Sequence, residues 1–239
     1  MPMHRTLAQD RLHVAVDLLI LTVKDGRLNL LLSKREHPPF AGFWALPGRM
    51  VAIDESAEIA ANRLLGEMLP VREPFMEQLY TFTQTDRDPR GRVISIAYLV
   101  IVPWGRLKGI LEAGTTGFAC FQAALGQDGL RLISDHGTIP GSAELAFDHA
   151  RMIQTGIQRL RNKIDYTDIG FFFLENREAF SLSELQTVFE AVLDDSLDSS
   201  NFRRFILNRY EKTGRLEQTE QAEKRGRGRP AALYYLKNE

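Results

Sequence analysis

Glu55, Arg63 and Glu67 stand at spacings that permit shared chemistry. On a helix, positions 64, 67 and 68 lie three and four apart, so their side chains leave one face. A set of carboxylates there would hold a cation against phosphate oxygens. This face instead carries Leu64, Glu67 and Met68, a single carboxylate. Magnesium keeps waters and substrate phosphates among its ligands, so weak binding stays open, but activation of a nucleophilic water should be badly weakened. A phosphorylated ligand there would need cations, and Arg35, Arg49, Arg87 and Arg90 are the candidates, since guanidinium grips phosphate in bidentate fashion. Trp44 offers a ring on which a base could stack. Plainer readings stand beside these: a solvated helix face, four surface arginines, and a tryptophan held in the core before a Leu-Pro-Gly turn.

A second set lies near the C-terminus. At 100° per residue, Asn201, Arg204 and Asn208 cluster on one side of a helix, with Ser200 and Arg203 flanking them. Asparagine pairs with adenine and arginine with guanine in the major groove. Further on, Lys224, Arg225, Arg227 and Arg229 alternate with glycines in Lys224-Arg225-Gly226-Arg227-Gly228-Arg229-Pro230. Glycine lets a chain press into a narrow groove, and arginine seeks the negative potential of A·T minor grooves. The plain alternative is a solvated basic loop.

The elements that must position these residues follow from patterning. Residues 12–23 are rich in aliphatic and β-branched side chains, Lys24-Asp25-Gly26-Arg27 is a turn, and Leu28 to Leu32 is a second run, which together predict a β-hairpin. His37 to Gly48 is too rich in Pro and Gly for regular structure. A helix is expected from Asp54, with Ile59, Leu64, Leu65 and Met68 at helical spacing and Pro70 closing it. Runs at Phe75 to Gln84 and Val93 to Val102 predict another hairpin with a charged tip. Residues 104–144 say little beyond short strands near Phe118 and Leu132, and a helix is expected over Asp148 to Lys163. Strand content then falls, which places a boundary near residue 155 and domains at 1–155 and 156–239.

In the second domain Ser181-Leu182-Ser183-Glu184 is a capping-box pattern, and Leu185, Val188, Phe189 and Val192 supply an apolar stripe. A second helix should start after Ser199 or Ser200, carry Phe202, Phe205 and Ile206 inward and end at Gly214. Strands at Leu216 to Thr219 and Leu233 to Leu236 would flank the basic tip. The order helix, helix, hairpin is that of a winged helix-turn-helix.

Composition narrows the alternatives. The 239 residues are 44% hydrophobic and 26% charged, which suits a globular chain of one large domain or two and excludes a disordered one. Cys120 is the sole cysteine, which excludes a disulfide framework and a cysteine-ligated zinc, and favours a reducing, cytoplasmic setting. Asp10, Arg11 and Asp17 interrupt apolar sequence near the start, so neither a signal peptide nor a membrane span is expected. The net charge of -1 conceals blocks: residues 165–198 hold one basic residue against nine acidic, whereas residues 199–229 hold nine against four. A phosphate senses charge within about a Debye length, so the second block points to double-stranded DNA despite a pI near 6.5.

The string from Gly48 through Glu55 to Met68 resembles the Nudix hydrolase signature GX5EX7REUXEEXGU. Glu55, Arg63, Leu65 and Glu67 match it, whereas Arg49 and Pro70 replace its glycines and Leu64 and Met68 replace two of its glutamates. The Arg-Gly-Arg-Pro tip resembles the core of AT-hook segments. Taken with HPPFAGFWALPG, Arg87-Asp88-Pro89-Arg90-Gly91, Leu145-Ala146-Phe147-Asp148-His149 and Phe202-Arg203-Arg204, nearly the whole chain resembles the NrtR-type Nudix-related transcriptional regulators.

That resemblance implies an α+β chain: an N-terminal Nudix α/β/α sandwich with a mixed sheet, then a winged helix-turn-helix. It implies a homodimeric bacterial repressor of a palindromic operator, with a noncatalytic domain that senses ADP-ribose or a related nucleotide and requires no cofactor or metal. Members control NAD biosynthesis or sugar catabolism. Asp148 and His149 match a family motif and are read as structural. Two alternatives stay open, an active pyrophosphatase with a DNA-binding tail and a repressor that answers a phosphorylated sugar or another metabolite.

Overall fold

The computed structural model describes residues 12–69, 74–112, 117–134, 137–140, 144–223 and 231–237. Strand β1 (His13–Lys24) turns through Asp25 and Gly26, both at positive φ (50° and 68°), into β2 (Arg27–Lys34). Two successive positive φ values are what a two-residue hairpin requires, and the Asp-Gly pair supplies them. Short strands β3 (Trp44–Ala45) and β4 (Gly48–Met50) pair with β2 and β1. Next come α1 (Ala57–Met68), β5 (Phe75–Phe82), β6 (Val93–Ile101), α2 (Trp104–Glu112), β7 (Phe118–Gly126), β8 (Gly129–Ser134), β9 (Gly137–Pro140) and α3 (His149–Lys163). Among the described residues the sheet has nine strands in the order β5-β6-β1-β2-β7-β8-β9, with β3 and β4 off that path. It is mixed, because β1 and β6 run parallel while β5/β6 and β1/β2 are antiparallel.

Alternation along β1 divides the core. Val16, Leu18 and Ile20 pack with Ala60, Ala61, Leu64, Leu65 and Leu107 of α1 and α2. Leu19 and Leu21 face the opposite side with Met152, Ile153 and Ile157 of α3. Helices on both faces bury both sides of the strand, which explains its near-continuous apolar run. Gly156 lets α3 approach closely, since a Cβ there would stand 2.0 Å from Leu19 Cδ2.

Several elements differ from expectation. Helix α1 starts at Ala57, not Asp54, because the Ser56 hydroxyl accepts from Ile59 N–H at 3.2 Å and makes Ser56 the N-cap. Ile59, expected inward, is 57% exposed, and Ala60 and Ala61 take the inner face. Helix α2 had no sequence signal, as Gly105 and Gly109 weaken its propensity. The connection between β5 and β6 is not a solvated charged tip, since Arg87 and Asp88 are buried in it.

The C-terminal part begins with a 3-10 turn (Ile169–Phe173), followed by β10 (Phe180–Ser181), α4 (Leu182–Leu193) and α5 (Ser199–Ile206), which continues as a π turn over Leu207–Glu211. Both halves of the Ser181/Glu184 capping box are formed. Asp198 caps α5 by accepting from Asn201 N–H at 2.8 Å. Phe202 and Ile206 are buried, but Phe205 is 36% exposed, because the helix turns that position towards its rim. Strands β11 (Leu216–Glu223) and β12 (Ala231–Leu236) pair and, with β10, form a three-stranded sheet in the order β10-β12-β11. Gly214, at φ +73°, closes the helical stretch. Lys224, Arg225, Arg227 and Arg229 lie outside the described residues.

One apolar cluster runs from Leu19 in the large sheet to Phe189, Phe202 and Tyr234 in the small domain. Arg161 near the end of α3 bridges the two, donating from Nε to Val192 O at 3.0 Å and from Nη1 to Leu125 O at 2.9 Å.

Candidate functional site

A cleft of about 140 Å³ opens where β1, β4, the loop after β2 and the β5–β6 connection meet the start of α3. Arg35, Arg49, Arg87 and Arg90 all line it, with Asp17, Asp88, Phe147 and His149. The Pro-rich loop is folded around Arg35, whose Nε donates to Pro39 O at 2.8 Å and Nη2 to His37 O at 3.3 Å. Its guanidinium carbon stands 4.8 Å from the centroid of the Phe147 ring. Burial, then the Arg90 charge, pull the Arg35 pKa below its usual value, an effect opposed by Asp88 and Asp17. Arg90 donates from Nε and Nη2 to the two oxygens of Asp88, at 3.0 and 2.7 Å. Burial alone would raise Asp88, but the side-chain and backbone hydrogen bonds from Arg90 and the nearby charge hold its pKa below the usual range.

Arg87 is the most enclosed of the four. Its guanidinium donates to both Asp148 oxygens, at 3.1 and 2.7 Å, and lies 3.8 Å from Asp17 Oδ2. Asp17 itself accepts from the Ser95 hydroxyl at 2.5 Å. His149 Nδ1 accepts from Leu46 N–H at 2.9 Å, so the neutral ring carries its proton on Nε2, 3.7 Å from Asp17 Oδ1. Trp44 stands outside the lining, edge-on to Phe121 at 4.9 Å. Phe147 is the aromatic ring that borders the cleft.

Asp17, Asp88 and Phe147 were not among the candidate site residues read from the sequence. Asp17 did leave a signal, as the one charge inside an otherwise apolar strand. Phe147 stood in the Leu145 to His149 motif, but its place at the cleft, reached through a positive φ of 55°, was not read from it.

Beside the cleft, Arg63 Nη2 donates to Glu55 Oε1 at 2.7 Å, and its Nη1 lies 3.5 Å from Glu67 Oε1. Glu55 also accepts from Ala52 N–H at 2.9 Å. The hydrogen bond from Arg63, then that from Ala52, lower the Glu55 pKa. Arg49 Nη1 reaches both oxygens of Glu67, at 2.9 and 3.0 Å, and this contact lowers the Glu67 pKa most. Two carboxylates thus meet two guanidinium groups. Nudix hydrolases employ a divalent cation at this helix, and the residues present do not fit one. Leu64 is buried among Val16, Leu18 and Ile20, Met68 supplies no oxygen, and Glu67 is already gripped by two cations. Among the described residues no group of three His, Cys, Asp or Glu is placed to hold a metal.

On the small domain, Ser200, Asn201, Arg203, Arg204 and Asn208 are all exposed along α5 and its π turn. Arg204 Nη2 donates to Asn201 Oδ1 at 2.8 Å, so the two form one polar unit. Arg203 is turned aside, donating to Tyr234 OH on β12 at 3.2 Å.

Comparison with known proteins matches the NUDIX domain to residues 11–120 and the NrtR DNA-binding winged helix domain to residues 170–236. An ADPR responsive transcriptional repressor, NtrR, from Acinetobacter baylyi is 30% identical over 92% of this chain and 80% of its own. The chain belongs to the NrtR family. A crystal structure of Shewanella oneidensis NrtR complexed with a 27mer DNA is 31% identical, covers 94% of this chain and 93% of that one, and superposes with a TM-score of 0.75. An ADP-ribose pyrophosphatase from Methanocaldococcus jannaschii is 34% identical over 60% of this chain and 73% of its own. The NrtR assignment confirms the α+β architecture, a Nudix sandwich followed by a winged helix. No helix among the described residues is long and apolar enough to cross a membrane.

Proposed function

We propose that this chain is a transcriptional repressor whose winged helix binds operator DNA and whose Nudix domain binds ADP-ribose or a related nucleotide without hydrolysing it. The observation that carries this reading is the convergence of Arg35, Arg49, Arg87 and Arg90 on one cleft beside a helix where Leu64 and Met68 replace two of the signature glutamates. Such a site attracts a diphosphate and lacks two of the carboxylates that would hold a water-activating cation. The Acinetobacter baylyi and Shewanella oneidensis relatives, an ADPR responsive repressor and a regulator complexed with DNA, support the DNA-binding and ADP-ribose-sensing parts of the reading.

Helix α3 joins the two. At its start His149 lines the cleft and Asp148 grips Arg87, which also lines it, and Arg161 near its end holds α4. A cytoplasmic homodimer would present two α5 helices to the half-sites of a palindrome at one separation. A nucleotide that prefers another arrangement must weaken operator binding by its differential affinity. Ser200, Asn201, Arg204 and Asn208 would face the major groove, and Lys224, Arg225, Arg227 and Arg229 the minor groove. Genes of NAD biosynthesis or sugar catabolism are the targets this reading implies.

The test is an anisotropy titration of DNA from the protein's own upstream region, with and without ADP-ribose. Release by the nucleotide supports the reading, and indifference to it counts against it. Incubation with ADP-ribose and magnesium or manganese should yield no AMP. Turnover in the usual enzyme range, about 1 to 1000 per second, would favour the pyrophosphatase alternative. A thermal-shift panel that includes phosphorylated sugars identifies any other effector, because binding to the folded state raises its melting temperature.

A further inference from the structure

We propose that Arg49 is a built-in cation: its guanidinium stands at Glu67 in place of a divalent metal and presents positive charge to the diphosphate, so that ligand binding is independent of metal. This rests on the nucleotide-binding reading of the cleft and adds the device that replaces its ion. The argument begins in the backbone. Strand β4 lies against β1 with Arg49 opposite Val16, and a Cβ on Gly48 would stand 2.0 Å from Asp17 Oδ1. Residue 48 must therefore be glycine, and the first side chain available to reach from this strand to α1 is that of residue 49.

Arg49 uses Nη1 to reach both oxygens of Glu67. Among the described residues its Nη2 and Nε have no protein partner, and the side chain lines the cleft with Arg35, Arg87 and Arg90. One group therefore touches the helix carboxylate and borders the anion site. Glu55 and Glu67 against Arg49 and Arg63 already sum to zero charge. A divalent ion brought to Glu67 would have to displace the two guanidinium groups that already hold its carboxylate, and would be repelled by both. Arg87 and Arg90 cannot play this part, since Asp148 and Asp88 hold them.

The experiment is calorimetric titration of the full chain with ADP-ribose, in EDTA and in millimolar magnesium, and with inorganic pyrophosphate in EDTA. Wild type should bind ADP-ribose equally in both buffers. Arg49→Gly should lose about tenfold or more in EDTA for either ligand, the loss expected for one charge-assisted contact. Arg49→Lys, which keeps the charge, should retain most of the affinity, and circular dichroism checks that each variant is folded. Wild-type affinity that falls on chelation, or Arg49→Gly binding as tightly as wild type, overturns the proposal. Pyrophosphate held through Arg49 by a chain that ignores ADP-ribose would retire the nucleotide reading and leave this inference standing. A wild-type chain that binds neither ligand overturns it.

Discussion

Arg87 donates from Nε and Nη2 to the two oxygens of Asp148, and this fork joins the β5–β6 connection to the first turn of α3. The Arg87 side chain is 4% exposed and that of Asp148 15%. Desolvated ions in this geometry are costly to separate, because the partner left behind keeps its burial and loses its counter-charge.

Arg87→Ala or Asp148→Asn should therefore lower stability by roughly 3 to 5 kcal/mol in urea denaturation, the range for breaking a buried pair. The double variant should lose less than the sum of the two. Additive losses would mean that the fork contributes nothing as a pair.

His149 gives a dependence on pH. Burial depresses its pKa in the folded chain, outweighing the upward pull of Asp17 and Asp148, with Arg87 and Arg35 acting in the same direction as burial. The unfolded chain then takes up a proton as pH falls through its usual value of about 6.5, while the folded chain does not. Stability should be unaffected by this group above that value and decline below it, by at most about 1.4 kcal/mol per pH unit. His149→Asn keeps an acceptor for Leu46 N–H and should flatten the decline measured by denaturation between neutral and mildly acidic pH. An unchanged profile would assign the acid sensitivity elsewhere.

Asn201 and Arg204 share a hydrogen bond on the exposed face of α5. Alanine at either should weaken operator binding by about 1 to 3 kcal/mol and relax base preference at that position. The double variant should fall short of the sum, read by anisotropy against operators with single base changes. Arg203→Ala should weaken binding less, since Tyr234 already engages that guanidinium.

Replacing Arg227 and Arg229 by alanine should weaken operator binding and flatten the plot of log affinity against log salt by a slope of about 2, close to one released counterion per lost phosphate contact. An unchanged slope would place the phosphate contacts on other residues.

The sequence by itself determined the elements whose signals are local. The Asp25-Gly26 turn, the Ser181/Glu184 capping box, the apolar stripe of α4 and the residues exposed on α5 need only neighbours in the chain, because turn dihedrals, caps and helical periodicity act over a few residues. Local patterning also shows that Leu64 and Met68 leave the α1 face with Glu67 as its one carboxylate. Tertiary structure decided the rest. Four arginines at positions 35, 49, 87 and 90 read alike as surface cations until the sheet order sets β1, β4 and the β5–β6 connection side by side. Only that packing pairs Arg87 with Asp148, 61 residues away, and sets Phe147 in the place considered for Trp44. Charge partners across such distances are fixed by sheet topology and burial, and neither is written in the spacing of residues along a chain.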